Sequence, residues 1–198
     1  MTNERISAFS DGVIAILITI MVLELKVPHG TDLAALSSLL PVFLTYVLSF
    51  IVLAIYWNNH HHMFYLTDRI TGGILWANLH LLFWLSLMPF VTGWMGENHF
   101  APLPTALYGV ELMMSGVAYY ILSQTIIRSQ GPHSKLKAAV GSDGKGRISI
   151  ILYFSAIPLA FVNQLLSDAI YVFVALMWLV PDRRIEQLFD EISSQEER

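Results

Sequence analysis

The sequence predicts an all-α integral membrane protein with six spanning helices and both termini in the cytoplasm. Three observations carry that prediction. First, 55% of the 198 residues are hydrophobic and only 13% are charged, about half the charge of an ordinary soluble domain, so a soluble fold would expose too much apolar surface. Second, apolar runs near the ~20 residues that cross a bilayer recur along the chain. Third, basic residues fall almost wholly on one side of those runs.

The runs are taken in order. Residues 6–23 carry one charge, Asp11, and are closed by Pro28, His29 and Gly30. Residues 33–57 carry none and stop in Asn58, Asn59 and three consecutive histidines. Residues 70–96 are free of charge apart from His80, and residues 100–127 hold one acid, Glu111. A Gly-, Ser- and Lys-rich stretch from Arg128 to Arg147 reads as a flexible loop. Residues 148–181 are too long for one span and break at Asn163-Gln164, which fits two short spans joined by a tight turn. The last of these, 169–180, would reach only ~18 Å at 1.5 Å per residue, short of a ~30 Å hydrocarbon core. Residues 182–198 are polar and acidic, with Ile185, Leu188, Phe189 and Ile192 on one stripe, and read as a cytoplasmic helix or tail beyond a membrane domain of residues 1–181. The first segment lacks a small-residue cleavage site and is expected to be retained.

Orientation follows from Lys and Arg. The termini and the loops after the second and fourth spans hold Arg5, Arg69, Arg128, Lys135, Lys137, Lys145, Arg147, Arg183, Arg184 and Arg198, whereas the opposite side holds Lys26. Both termini then lie on the cytoplasmic side, which requires an even number of spans. The absence of cysteine excludes disulfides, thiolate metal sites and Cys nucleophiles. The net charge of -4 makes nucleic acid an unsuitable partner. No phosphate-loop, dinucleotide or zinc-protease pattern is present, so an enzyme has no positive support and no cofactor is expected.

Arg5, Phe9, Ser10 and Asp11 crowd the mouth of the first apolar run. Ionisable groups this close to hydrocarbon are costly. On a helix, Phe9 can pack outward while Ser10 or Asp11 faces the bundle, and Asp11 near the N-terminal turn suits the helix dipole. The plainer reading is that Arg5 and Asp11 only cap and anchor the helix. Further along, Ile16, Ile20 and Leu23 share a stripe, with Thr19 beside it. Repeated around a symmetry axis, such a stripe would make stacked apolar rings that control ion passage by dewetting; on so apolar a helix every face carries a stripe, and an ordinary packing face is the plainer reading. Trp76, Asn78 and His80 sit on the third run, where a hydrogen bond from Asn78 or His80 to Ser10 or Asp11 would pin the first helix. His60, His61 and His62 point three ways, which suits an interface turn better than a metal. Glu111 is either a buried proton or cation site or a side chain reaching the headgroups.

Arg5-x-x-x-Phe9-Ser10-Asp11-Gly12-Val13-Ile14-Ala15-Ile16, closed by Val22-Leu23-Glu24-Leu25-Lys26-Val27-Pro28, resembles the signature of the endosomal and lysosomal potassium channel family in its bacterial branch. Tyr56-Trp57-x-x-His60 and Asn78-x-His80 support the resemblance, and beyond them the match is one of layout. The resemblance implies one six-helix unit per chain, a homotetramer in the bacterial inner membrane, and a central pore lined by the first helix. It implies permeation of K+ and other monovalent cations with modest preference for potassium and no carbonyl filter. It places the apolar constriction at Ile16, Ile20 and Leu23, with Thr19 as a polar ring, and assigns Arg5, Phe9, Ser10 and Asp11 to packing and polar contacts near the cytoplasmic mouth. Two rival readings stay open: a proton channel or proton-coupled transporter using Asp11, Glu111 or His80, and a non-conducting membrane scaffold.

Overall fold

The computed structural model describes residues 3–131, 134–141 and 143–179, and these are helical apart from short connections. In chain order the helices are α1 (Asn3–Val22), α2 (Leu33–Ser37), α3 (Leu40–Tyr65), α4 (Gly72–Leu85), α5 (Met88–Glu97), α6 (Pro102–Gln130), α7 (Lys135–Val140), α8 (Gly144–Leu159) and α9 (Gln164–Leu179). Among the described residues, four segments are long and apolar enough to cross a membrane: Asn3–Val22, Leu40–Tyr65, Gly72–Glu97 and Pro102–Gln130. The C-terminal helix expected over 182–198 lies outside the described residues.

Local chemistry explains most boundaries. Asp32 caps α2 by accepting from the Ala35 amide at 2.8 Å, and Thr71 caps α4, each filling an orphan amide of a first helical turn. Proline stands in the first turn of α3, α5 and α6, where its missing N–H and fixed φ are harmless.

Three expectations are corrected. The second span does not end at Trp57; α3 runs on through the three histidines to Tyr65. The third span, expected over 70–96, is matched by the segment Gly72–Glu97, broken within into α4 and α5 where Pro89 has no amide to offer the Leu85 carbonyl four residues back. The stretch read as a flexible loop holds α7 and the start of α8. After the break at Asn163, α9 begins five residues before the expected start and runs 16 residues, about 24 Å at 1.5 Å per residue.

Helix α6 is the spine, packed on α4, α5, α8 and α9, while α1 leans on α3, α4 and α5. Two close approaches depend on glycine. At Gly96 an added Cβ would sit 2.7 Å from the Val42 Cα, so α5 and α3 meet backbone to backbone. At Gly109 an added Cβ would collide with the Tyr171 hydroxyl, which donates to the Thr105 carbonyl at 3.1 Å and ties α9 to α6. Small residues at crossings are what lets membrane helices approach closely.

Candidate functional site

Helix α1 has two distinct faces. Ile6, Ser10, Ile14, Leu17 and Met21 are buried in the bundle. Ile16, Ile20 and Leu23 are 58%, 42% and 74% exposed, and Arg5, Phe9 and Thr19 are exposed as well. At 3.6 residues per turn the second set is rotated by roughly 120° from the first. Leu23 lies one residue past the end of α1, in a turn closed by its amide donating to the Ile20 carbonyl at 2.9 Å. Thr19 Oγ1 donates to the Ala15 carbonyl at 2.7 Å, so its lone pairs stay available on the exposed side.

A chain of hydrogen bonds fixes which face is which. Asn78 Nδ2 on α4 donates to Ser10 Oγ at 2.9 Å, and Ser10 Oγ donates in turn to the Ile6 carbonyl at 2.9 Å. Asn78 Oδ1 lies 2.8 Å from His60 Nε2 on α3. With the Asn78 amide NH2 committed to Ser10, its oxygen must accept, and His60 therefore donates from Nε2. Ser10, His60 and Asn78 are all buried, and the His60 ring stacks on Phe64 with centroids 4.5 Å apart. A second tie runs beside it, from Trp57 Nε1 to Asp11 Oδ1 at 3.0 Å. Asn3 Nδ2 holds the start of α1 to the Phe64 carbonyl at 2.6 Å.

The expected bond between Asn78 and Ser10 is therefore present. His80 is engaged elsewhere: it accepts from Trp84 Nε1, one turn along α4, at 3.0 Å. Trp76 is 75% exposed and stands outside the chain of bonds. His60 was missed as the third member, because its role depends on α3 continuing past Trp57. The signal for that continuation was the 57/60/64 spacing, which puts Trp57, His60 and Phe64 along one side of a helix. Among the described residues no cluster of three or more His, Cys, Asp or Glu could hold a metal.

Glu111 is buried rather than at the headgroups. Its Oε1 accepts from Ser115 Oγ at 2.7 Å, and Oε2 has no partner. At the far end of α1, Lys26 pairs with Glu97 after α5 has closed the hairpin, and the Glu24 side chain covers Gly93.

The fold and this two-faced first helix define an α-helical integral membrane protein. The family model described as endosomal/lysosomal potassium channel TMEM175 matches residues 5–89, the stretch that holds the whole Ser10–Asn78–His60 chain. A potassium channel of Chryseobacterium sp. (strain P1-3) is 56% identical over 191 residues, covering 96% of this chain and all of that one. The crystal structure of a lysosomal potassium-selective channel TMEM175 homolog from Chamaesiphon minutus superposes with a TM-score of 0.79 at 28% identity, over 89% of this chain and 96% of that one. The endosomal/lysosomal proton channel TMEM175 of Gallus gallus is 36% identical over 83 residues, 36% of this chain and 17% of that one. The chain belongs to the TMEM175 family, whose named members are channels and not enzymes.

Proposed function

We propose that the protein is a potassium-permeable, weakly selective cation channel of a bacterial inner membrane, in which four copies arrange α1 around a central pore. Ile16, Ile20 and Leu23 form the apolar constriction, with Thr19 as a polar ring. α1, α3, the α4–α5 pair, α6, α8 and α9 make six spans, with the termini in the cytoplasm. The observation that carries the reading is the apolar face of α1, left unpacked by its own chain while the opposite face is fastened by buried hydrogen bonds. A helix held so firmly on one side presents the other to something outside the chain. A symmetry axis turns each exposed side chain into a ring. Such a ring favours potassium modestly, because Na+ resists dehydration more than K+ at an apolar neck that offers no replacement oxygens.

Liposome flux tests the reading. Leu23→Ala and Ile16→Asn are expected to raise the K+ leak or reduce K+/Na+ discrimination; unchanged permeation in both would remove α1 from the neck. A second reading, proton conduction, has one structural observation in its favour, the partnerless Oε2 of buried Glu111. A reversal potential that follows the pH gradient and ignores potassium, abolished by Glu111→Gln, would establish it in place of the first.

A further inference from the structure

Away from α1, helices α3, α6, α8 and α9 enclose a partly open cavity of about 60 Å³. Each of the four helices contributes at least one aromatic side chain to its walls, Tyr56 from α3, Tyr119 and Tyr120 from α6, Tyr153 from α8 and Trp178 from α9, among aliphatic neighbours and the polar Asn59 and Ser149. One carboxylate, Asp143 at the start of α8, completes the lining. By the criterion of 10–15 Å³ of such space per water, the cavity of about 60 Å³ has room for roughly four to six waters, about the bulk of a small substituted ammonium head.

The walls are fixed rather than loose. Tyr56 and Tyr119 meet edge to face with centroids 6.0 Å apart. Trp178 Nε1 donates to Ser149 Oγ at 2.8 Å, and Ser149 Oγ donates to the Lys145 carbonyl at 2.8 Å. Asp143 accepts from the Gly146 amide at 3.2 Å, capping α8. Burial pushes its carboxyl above the usual carboxylate range, against the pull of the Gly146 amide and of nearby Arg147. A carboxylate in that position gains from a cation that also satisfies the surrounding rings, because aromatic faces attract cations through their quadrupoles.

We propose that this cavity is a binding site for an organic ammonium group, seated among Tyr56, Tyr119, Tyr120, Tyr153 and Trp178 with Asp143 as its counter-charge. The site stands clear of the proposed pore, since none of its lining comes from α1. A metal ion is a poor match, because the lining carries one carboxylate, its other oxygens are neutral ones of Asn59, Ser149 and the tyrosines, and Ser149 Oγ is already spent on Trp178 and the Lys145 carbonyl. Two sources share the chemistry: a free alkylammonium in the cytoplasm, and the ethanolamine headgroup of a lipid whose tail lies along the open side.

The charge can be removed without disturbing the helix. Asp143 has a left-handed backbone, φ 46°, which Asn tolerates, and Asn caps helices as well as Asp does. The full chain in detergent is titrated with tetramethylammonium chloride at constant ionic strength, reading Trp fluorescence and thermal shift. The same protein is reconstituted into vesicles of phosphatidylglycerol with and without phosphatidylethanolamine, reading bound lipid by native mass spectrometry. Saturable binding of tetramethylammonium, weakened about tenfold or more in Asp143→Asn and retained in Leu23→Ala, supports a free ammonium ligand. Selective retention of phosphatidylethanolamine that Asp143→Asn abolishes supports the headgroup. Binding of neither probe, or binding that Asp143→Asn leaves intact, overturns the proposal. A variant that fills the cavity gives an independent check: an added Cβ at Gly116 meets Ile150 and Tyr56 only at 3.8 Å, so Gly116→Ala fits the fold, and it is expected to reduce whichever binding is seen.

Discussion

Asn78 shows how much of this molecule's order rests on single polar side chains. It spends both ends of its amide on other helices, donating to Ser10 and accepting from His60. Neither partner has water to fall back on, since both are buried. Replacing Asn78 with Leu removes two interhelical bonds and leaves the Nε2–H of His60 without an acceptor. That should destabilise the bundle by about 1–2 kcal/mol, allowing for the modest net worth of hydrogen bonds between membrane helices. Thermal unfolding in detergent reads the loss, and Asn78→Asp should recover part of it by restoring an acceptor for His60. An Asn78→Leu protein as stable as the wild type would mean that apolar packing alone orients α1. The Trp57–Asp11 bond is more exposed, so Trp57→Phe should cost less than 1 kcal/mol on the scale of a single solvated hydrogen bond.

At the scale of elements, what was legible in the sequence was whatever has a local cause. The apolar length of α1, α3 and α6 and the break before α9 follow from neighbours within a few positions. The misplaced boundaries have partners far along the chain. α3 was expected to stop where Asn and His replace apolar residues, yet it continues because His60 meets Asn78, 18 residues on, inside the bundle. The Phe9, Ser10 and Asp11 triplet was legible as a motif, and helical spacing allowed Phe9 outward with either Ser10 or Asp11 inward; packing makes it Ser10. Which neighbour Ser10 meets was narrowed to Asn78 or His80 and decided by packing: His80 turns to Trp84. The glycine crossings were not legible, because nothing in the sequence says that another helix's backbone lies 2.7 Å from a missing Cβ. Gly96→Ala therefore makes an element-scale test. The methyl must push the backbone of α3 near Val42, and overpacking of this kind costs about 1–3 kcal/mol. Gly12 has nothing within 4 Å of an added Cβ, so Gly12→Ala should leave thermal stability within about 0.5 kcal/mol or raise it slightly through helix propensity. A larger loss at Gly12 than at Gly96 would show that α1 meets another chain closely at that point.

Across the whole molecule, one face of α1 is covered within the chain and the other is not. Its buried face is fully accounted for, while Phe9, Ile16, Ile20 and Leu23 are exposed. Either lipid or further copies of the chain cover them. The chain has no cysteine, so one introduced thiol reports on its own surroundings without background. With four copies around one axis, Leu23→Cys places equivalent sulfurs at the rim of a shared channel, where they can come within the ~4–7 Å Cα separation that a disulfide demands. Mild oxidation in the membrane is then expected to convert most of the protein to cross-linked dimers on a non-reducing gel, two per tetramer. Phe154→Cys is the matched control: Phe154 is similarly exposed, but on α8, which is not one of the helices α1 leans on, and it should stay monomeric. Efficient cross-linking at Leu23 with none at Phe154 puts α1 at the axis. Cross-linking at Phe154 alone would put α8 at the contact between copies and leave α1 facing lipid, and the proposed constriction would go with it.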